Sequence, residues 1–155
     1  MLMAAITGVF GSLYGARPVL AASKASDSTW NLSDDVWRKR LSAEAYHVLR
    51  NEGTERPFTS SLNDEKRSGN YHCAGCDQPL FSSQAKFNSG TGWPSFFQPL
   101  EGGVATKVDF KLIIPRTEYH CSRCGGHQGH VFNDGPRPTG KRYCNNGVAL
   151  RFQPA

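Results

Sequence analysis

The sequence predicts a mainly β domain with one or two short helices near its N-terminal side, and three observations carry that expectation. Glycine and proline recur densely beyond residue 56, at Pro57, Gly69, Gly75, Pro79, Gly90, Gly92, Pro94, Pro99, Gly102, Gly103 and Pro115. Such punctuation suits short strands and turns, not helices. Two stretches alternate with the period of a strand: 108–114, where Val108, Phe110, Leu112 and Ile114 share a face, and 142–152, where Val148, Leu150 and Phe152 do. Helical spacing is confined to 33–52.

Length and composition agree with one domain. A chain of 155 residues, 38% apolar and 20% charged, buries a core without help from disulfides. Its composition excludes disorder and a collagen-like repeat, and no apolar run reaches the roughly 20 residues of a membrane-spanning helix. The net charge of +5 permits an acidic partner. The basic residues are scattered, however, and the densest group, Arg38-Lys39-Arg40, lies in the helical stretch beside Asp34 and Asp35. That pattern reads as a solvated basic surface, with no nucleic-acid partner and no stable membrane insertion of the domain.

Taken in order, residues 2–14 are apolar and precede Arg17 and the small-residue pairs Val19-x-Ala21 and Leu20-x-Ala22. This resembles a signal-peptide core with a cleavage site, without the usual basic residues ahead of it. Residues 1–25 are therefore read as a signal-like or targeting segment for export or organelle entry, with a buried N-terminal element and a cytoplasmic location as the alternatives. Residues 26–32 read as a linker and 33–153 as the domain. Ser33-Asp34-Asp35 opens a helix, with acids in its first turn. Trp37, Leu41, Ala45, Val48 and Leu49 give it an apolar face, Ser42 offers a second start, and Gly53 is placed to end it. In 142–152, Arg142, Cys144 and Asn146 continue the inward face of Val148, provided that no bulge forms at Gly147.

The five cysteines divide four and one. Tyr71-His72-Cys73-Ala74-Gly75-Cys76 and Tyr119-His120-Cys121-Ser122-Arg123-Cys124 repeat the pattern YHCxxC. Two CxxC turns complete a tetrahedral four-thiolate zinc site with no open position, one ion per chain. The 44 residues between Cys76 and Cys121 place the turns on separate hairpins that the metal would pin together. Redox-active dithiols and disulfides are the alternatives. His72 and His120 are surplus to such a site and receive no role. Cys144 remains. An inert buried thiol is its plainest reading. Against that stand Arg142 and Asn146 on its own strand face and the imidazoles of His127 and His130 just past the second CxxC. A thiolate near cations and proton donors is a nucleophile with general-acid help.

The set CxxC, SGTGWPSF (89–96), CxxCGGHQGHVF (121–132), DGP (134–136) and RYCNN (142–146), with GTERPF (53–58) upstream, resembles the B-type methionine sulfoxide reductases across about residues 30–153. That resemblance implies two antiparallel sheets, a structural four-cysteine zinc away from the active site, and reduction of the R-epimer of methionine sulfoxide in proteins or peptides. It makes Cys144 the nucleophile that becomes a sulfenic acid. It gives His127, His130 and Asn146 the task of positioning and protonating the departing oxygen, and Arg142 and Asp134 that of tuning the surrounding charge. Trp93 would hold the substrate methyl group, while Trp30, Trp37, Phe96 and Phe97 are core. The chain departs from many members at Thr91, where they carry a second, resolving cysteine. It therefore resembles a one-cysteine form, recycled by thioredoxin, by glutaredoxin with a small thiol, or by a small thiol alone. A zinc-knuckle binding module without catalysis is the competing reading, since the CxxC pairs alone suit both.

Overall fold

In the computed structural model, which describes residues 28–155, the helical stretch splits in two: α1 (Asp34–Arg40) and α2 (Ala43–Asn51). Leu41 is extended, and the Ser42 hydroxyl accepts the Ala45 N–H at 3.1 Å, so the second helix starts on its own cap. Glu52, not Gly53, takes the left-handed conformation that ends α2 (φ 52°), while the Gly53 N–H bonds the His47 carbonyl. A Cβ on Gly53 would meet the exposed His47 ring at 2.3 Å, so a larger residue there would have to turn that ring aside. The targeting segment read at 1–25 lies outside the described residues. Ser28–Trp30 form a 3-10 turn, and Trp30 stacks on Trp37 with ring centroids 6.3 Å apart.

Nine short strands follow: β1 (Gly69–Cys73), β2 (Pro79–Ser82), β3 (Lys86–Phe87), β4 (Ser95–Phe96), β5 (Val104–Asp109), β6 (Arg116–Cys121), β7 (His127–Phe132), β8 (Arg142–Asn145) and β9 (Leu150–Pro154). They form two antiparallel sheets, of order β2-β1-β9 and β3-β4-β8-β7-β6-β5. The mainly β class, the two sheets and the short helices agree with the expectation from sequence. The core joins the helices to both sheets through Trp37, Val48, Leu49, Tyr71, Phe81, Phe96 and Tyr119. Phe81 stacks on Phe96 across the sheets at 4.2 Å. Each fully buried side chain of this kind contributes roughly 1.5–3 kcal/mol.

Two strand readings need correction. The stretch 142–152 is not one strand: β8 stops at Asn145, Gly147–Ala149 form a 3-10 turn, and β9 continues in the other sheet. The cause is Glu55, whose carboxylate accepts the N–H groups of Gly147 and Val148 that a sheet ladder would otherwise use. Glycine is needed at 147, because a Cβ would fall 1.9 Å from the Ser60 hydroxyl oxygen. The stretch 108–114 likewise stops at Asp109, whose carboxylate accepts the Lys111 N–H and turns the chain back toward Arg116. Phe110, Leu112, Ile113 and Ile114 therefore sit on an exposed hairpin tip, Ile113 at 102% relative exposure.

Candidate active site and metal-binding thiols

The strand register assembles the site. On β8, Cys144 lies opposite His130 of β7 on one side and Ser95 of β4 on the other. A cavity of about 130 Å³ opens over it, walled by Trp93, Arg116, His130, Phe132 and Asn146. Burial pushes the Cys144 thiol up from its ordinary value, while the Arg142 guanidinium and a hydrogen bond with Thr91 pull it back down. Arg142 does not float. Asp134 grips it with both carboxylate oxygens, at 2.8 and 2.9 Å, and its guanidinium lies 4.3 Å over the Phe132 ring. Asp134 thus fixes Arg142 beside Cys144, while its own negative charge pushes the thiol up.

This cation gives a measurable sign. A thiolate fraction rises with pH, and removing the nearby positive charge raises the pH at which it does so. Arg142→Met, which keeps apolar cover on Phe132, is expected to move the rising limb of Cys144 alkylation by iodoacetamide to higher pH. The rate at pH 7 should fall several-fold. An unchanged pH profile would remove Arg142 from the account.

The two histidines separate. His130 faces the cavity, and its Nε2 pairs with Asp109 at 2.8 Å, a carboxylate also held by Arg116 at 2.8 Å. Burial lowers the His130 pKa, and Asp109 opposes the shift. His127 is 2% exposed and does not wall the cavity. Its Nδ1 pairs with Glu118 at 2.7 Å, its buried Nε2 has no partner, and its ring lies 5.5 Å from that of His130. Burial brings its pKa down to about 4, so it is neutral at pH 7, with the Glu118 carboxylate favouring the proton on Nδ1. Asn146 is fixed from both ends: its Oδ1 accepts the Glu55 N–H, and its Nδ2 donates to the Gln128 carbonyl, both at 2.9 Å. Trp93 donates its indole N–H to the Glu55 carbonyl at 3.1 Å and turns its ring to the cavity.

Three acids went unassigned from sequence: Asp109 on His130, Glu118 on His127, and Glu55, which orders Trp93, Asn146 and the turn at 147–149 together. Glu55 lies within the GTERPF stretch, where nothing local marks its role. Asp109 and Glu118 carry no local signal, since strand pairing alone brings them to their histidines.

Away from the cavity, the four remaining thiols converge. Cys73 and Cys124 stand 3.7 Å apart, Cys76 and Cys121 3.5 Å, and all four sulfurs lie within 4.8 Å of one another and are buried. A tetrahedral metal with M–S bonds of about 2.3 Å sets sulfurs roughly 3.8 Å apart. The cluster fits such an ion with four thiolates. Arg40, Arg50 and Arg123 donate to the turn carbonyls of Gly75, Cys124 and Cys76, placing positive charge around an anionic site. Cys144 is the fifth cysteine and stands outside the cluster.

The model of the SelR domain matches residues 41–154. The chain belongs to the SelR family. It is 54% identical, over 124 residues and 95% of that protein, to the peptide methionine sulfoxide reductase MsrB of Leptospira interrogans. Over 122 residues and 86% of the relative, it is 55% identical to MsrB of Methanosarcina barkeri. With the chloroplastic peptide methionine sulfoxide reductase B1 of rice it shares 52% identity over 124 residues, 79% of this chain and 58% of that protein. It spans 61% of the Arabidopsis thaliana counterpart. Each of these chloroplastic relatives is thus matched over less than two thirds of its length. The SelR span takes in every cavity residue and all four clustered cysteines.

Proposed function

We propose that this SelR-family chain reduces the R-epimer of methionine sulfoxide in proteins or peptides to methionine. The observation that carries the reading is a thiol outside the cluster, set in a small cavity between an indole face, an imidazole and a carboxamide. The Cys144 thiolate attacks the sulfoxide sulfur, and the S–O oxygen moves to Cys144 as methionine leaves. Cys–SH and sulfoxide thus become Cys–SOH and sulfide, with atoms and electrons balanced. His130, oriented by Asp109, and Asn146 position the oxygen, which takes its protons from His130 or from water. His127, behind it and neutral, passes or accepts a proton through His130 or water. Trp93 receives the S-methyl group, as sulfur–aromatic contacts favour. Zinc is the metal for Cys73, Cys76, Cys121 and Cys124. It holds the two CxxC turns and takes no part in the reaction.

The deciding assay offers each epimer of a peptide-linked methionine sulfoxide with dithiothreitol. Turnover of the R form alone is expected; turnover of neither form, with metal retained, would favour a binding module and overturn the reading.

Thr91, the position at which the resemblance puts a resolving cysteine, hydrogen-bonds Cys144, and the other cysteines are all in the cluster. Recycling therefore falls to an external thiol, from thioredoxin, glutaredoxin or a small molecule. It displaces water from the sulfenic acid, and a second thiol releases Cys144. After one equivalent of substrate without reductant, a sulfenic-acid probe should label Cys144 alone. A disulfide formed by Cys144 within the chain would contradict this.

Two of the relatives above are named chloroplastic, which supports organelle entry as the role of residues 1–25. Deleting those residues should leave kcat/KM unchanged; a tenfold loss would give the segment a part in the site.

A further inference from the structure

Gln128, on β7, is fully buried and stands between the clustered thiols and the catalytic strand. Its Nε2 donates to Cys73 Sγ at 3.4 Å, and its Oε1 accepts from Asn145 Nδ2 at 3.1 Å. Asn145 in turn accepts the Tyr119 hydroxyl at 2.7 Å, and its Nδ2 also donates to the Asn146 carbonyl at 2.8 Å. Tyr119 and Asn145 are fully buried as well. The bonds run in one direction, Tyr119 to Asn145 to Gln128 to Cys73, so each polarises the next. One end is a sulfur of the metal cluster. The other borders Cys144 and Asn146.

Apolar side chains would fill this space without the cost of burying polar groups. The chain instead satisfies every member, which fixes a single arrangement. We propose that Gln128 is a positioning residue whose hydrogen bonds to Cys73 and Asn145 couple the metal site to the strand carrying Cys144. Its N–H draws charge from the Cys73 thiolate and favours retention of that sulfur on the metal. Its carbonyl holds Asn145, and so keeps the Cys144–Asn146 peptide units in register with the cavity. Coupling of this kind is reciprocal: what loosens one end must be felt at the other. The inference rests on the metal reading above, which binding of cobalt(II) by the unaltered chain tests separately.

The experiment perturbs each end and reads the opposite one. Gln128→Met keeps volume and leaves Asn145 Nδ2 its bond to the Asn146 carbonyl. With cobalt(II) in the cluster, its thiolate-to-metal charge-transfer band should move to longer wavelength, because the sulfur has lost a hydrogen-bond donor. With zinc bound, its kcat on the peptide R-sulfoxide should fall several-fold at unchanged KM, although the Gln128 side chain makes no hydrogen bond to Cys144. Asn145→Leu should speed zinc transfer to a chelator several-fold, although Asn145 makes no hydrogen bond to the cluster. A perturbation confined in each variant to the nearer site would overturn the coupling. Should either variant fail to fold, the triple change Tyr119→Phe, Asn145→Leu, Gln128→Met removes the buried polar chain as a unit. A parental cobalt band and parental kcat in that protein would overturn the proposal equally.

Discussion

Cys144→Ser is expected to lower turnover of the R-sulfoxide by at least about a thousandfold, the scale of losing a catalytic nucleophile. The change is nearly isosteric, and it leaves Arg142, Asp134, His130 and Asn146 in place. The loss therefore belongs to nucleophilicity alone. A serine hydroxyl does not ionise near neutral pH, and Arg142 and Thr91 are far too weak a pair to make it do so. Stability should barely move, because Cys144 sits half-buried at a cavity wall and the substitution is of a kind usually worth about 0.5 kcal/mol or less. A melting point within a degree or two of the parent, alongside lost turnover, separates chemistry from folding. Retained R-sulfoxide turnover would remove Cys144 as the nucleophile and leave the chain without one outside the cluster.

The pH profile of the proposed reaction has its sign fixed by the same environment. Burial holds the Cys144 thiol above its ordinary value, so the thiolate fraction climbs with pH through the neutral range, and kcat/KM follows it where His130, whose pKa burial lowers, is already uncharged. His127 adds no step there, because its pKa near 4 keeps it uncharged throughout.

The site's chemistry was legible in the sequence where the residues were named by type and spacing. Two YHCxxC turns implied a cluster, and the sulfurs converge within 4.8 Å. Cys144 stood alone by subtraction, and it stands alone in the fold. What spacing could not supply is who faces whom across strands. Asp109 reaches His130 because β5, β6 and β7 are consecutive in one sheet, a property of pairing and not of any local pattern. The same limit explains the failed strand at 108–114. Alternation reports that apolar residues share a face, not that anything covers it, and here the chain turns at Asp109 with Phe110, Leu112 and Ile114 uncovered. The break after Asn145 was hidden for a related reason. Glu55 is 92 residues from Gly147, so the carboxylate that converts strand to turn is invisible to a local window.

Removing the metal should have the largest effect on the fold. Cys73→Ser, or strong chelation, is expected to abolish a cooperative melt and not merely to lower it. Structural zinc sites of this type contribute on the order of 10 kcal/mol to folding, against a total stability of about 5–15 kcal/mol for an ordinary domain. The position of the ligands makes that loss global. Cys73 ends β1, the central strand of the three-stranded sheet, and Cys121 ends β6, an inner strand of the six-stranded one, so the cluster ties the two sheets together at strand ends. Without the ion, four buried thiols face one another with little to gain from contact, and the turns they close lose their anchor. β7 leaves the second turn directly and carries His127 and His130, so the catalytic strands part with it. Activity should then disappear along with structure and return together with it on adding zinc back, in proportion to metal bound. Metal content near one ion per chain in the parent and well below it in Cys73→Ser, with the melt lost, is the expected pair of results. A Cys73→Ser protein that kept its full metal and its melting point would show that the sheets hold together without the cluster.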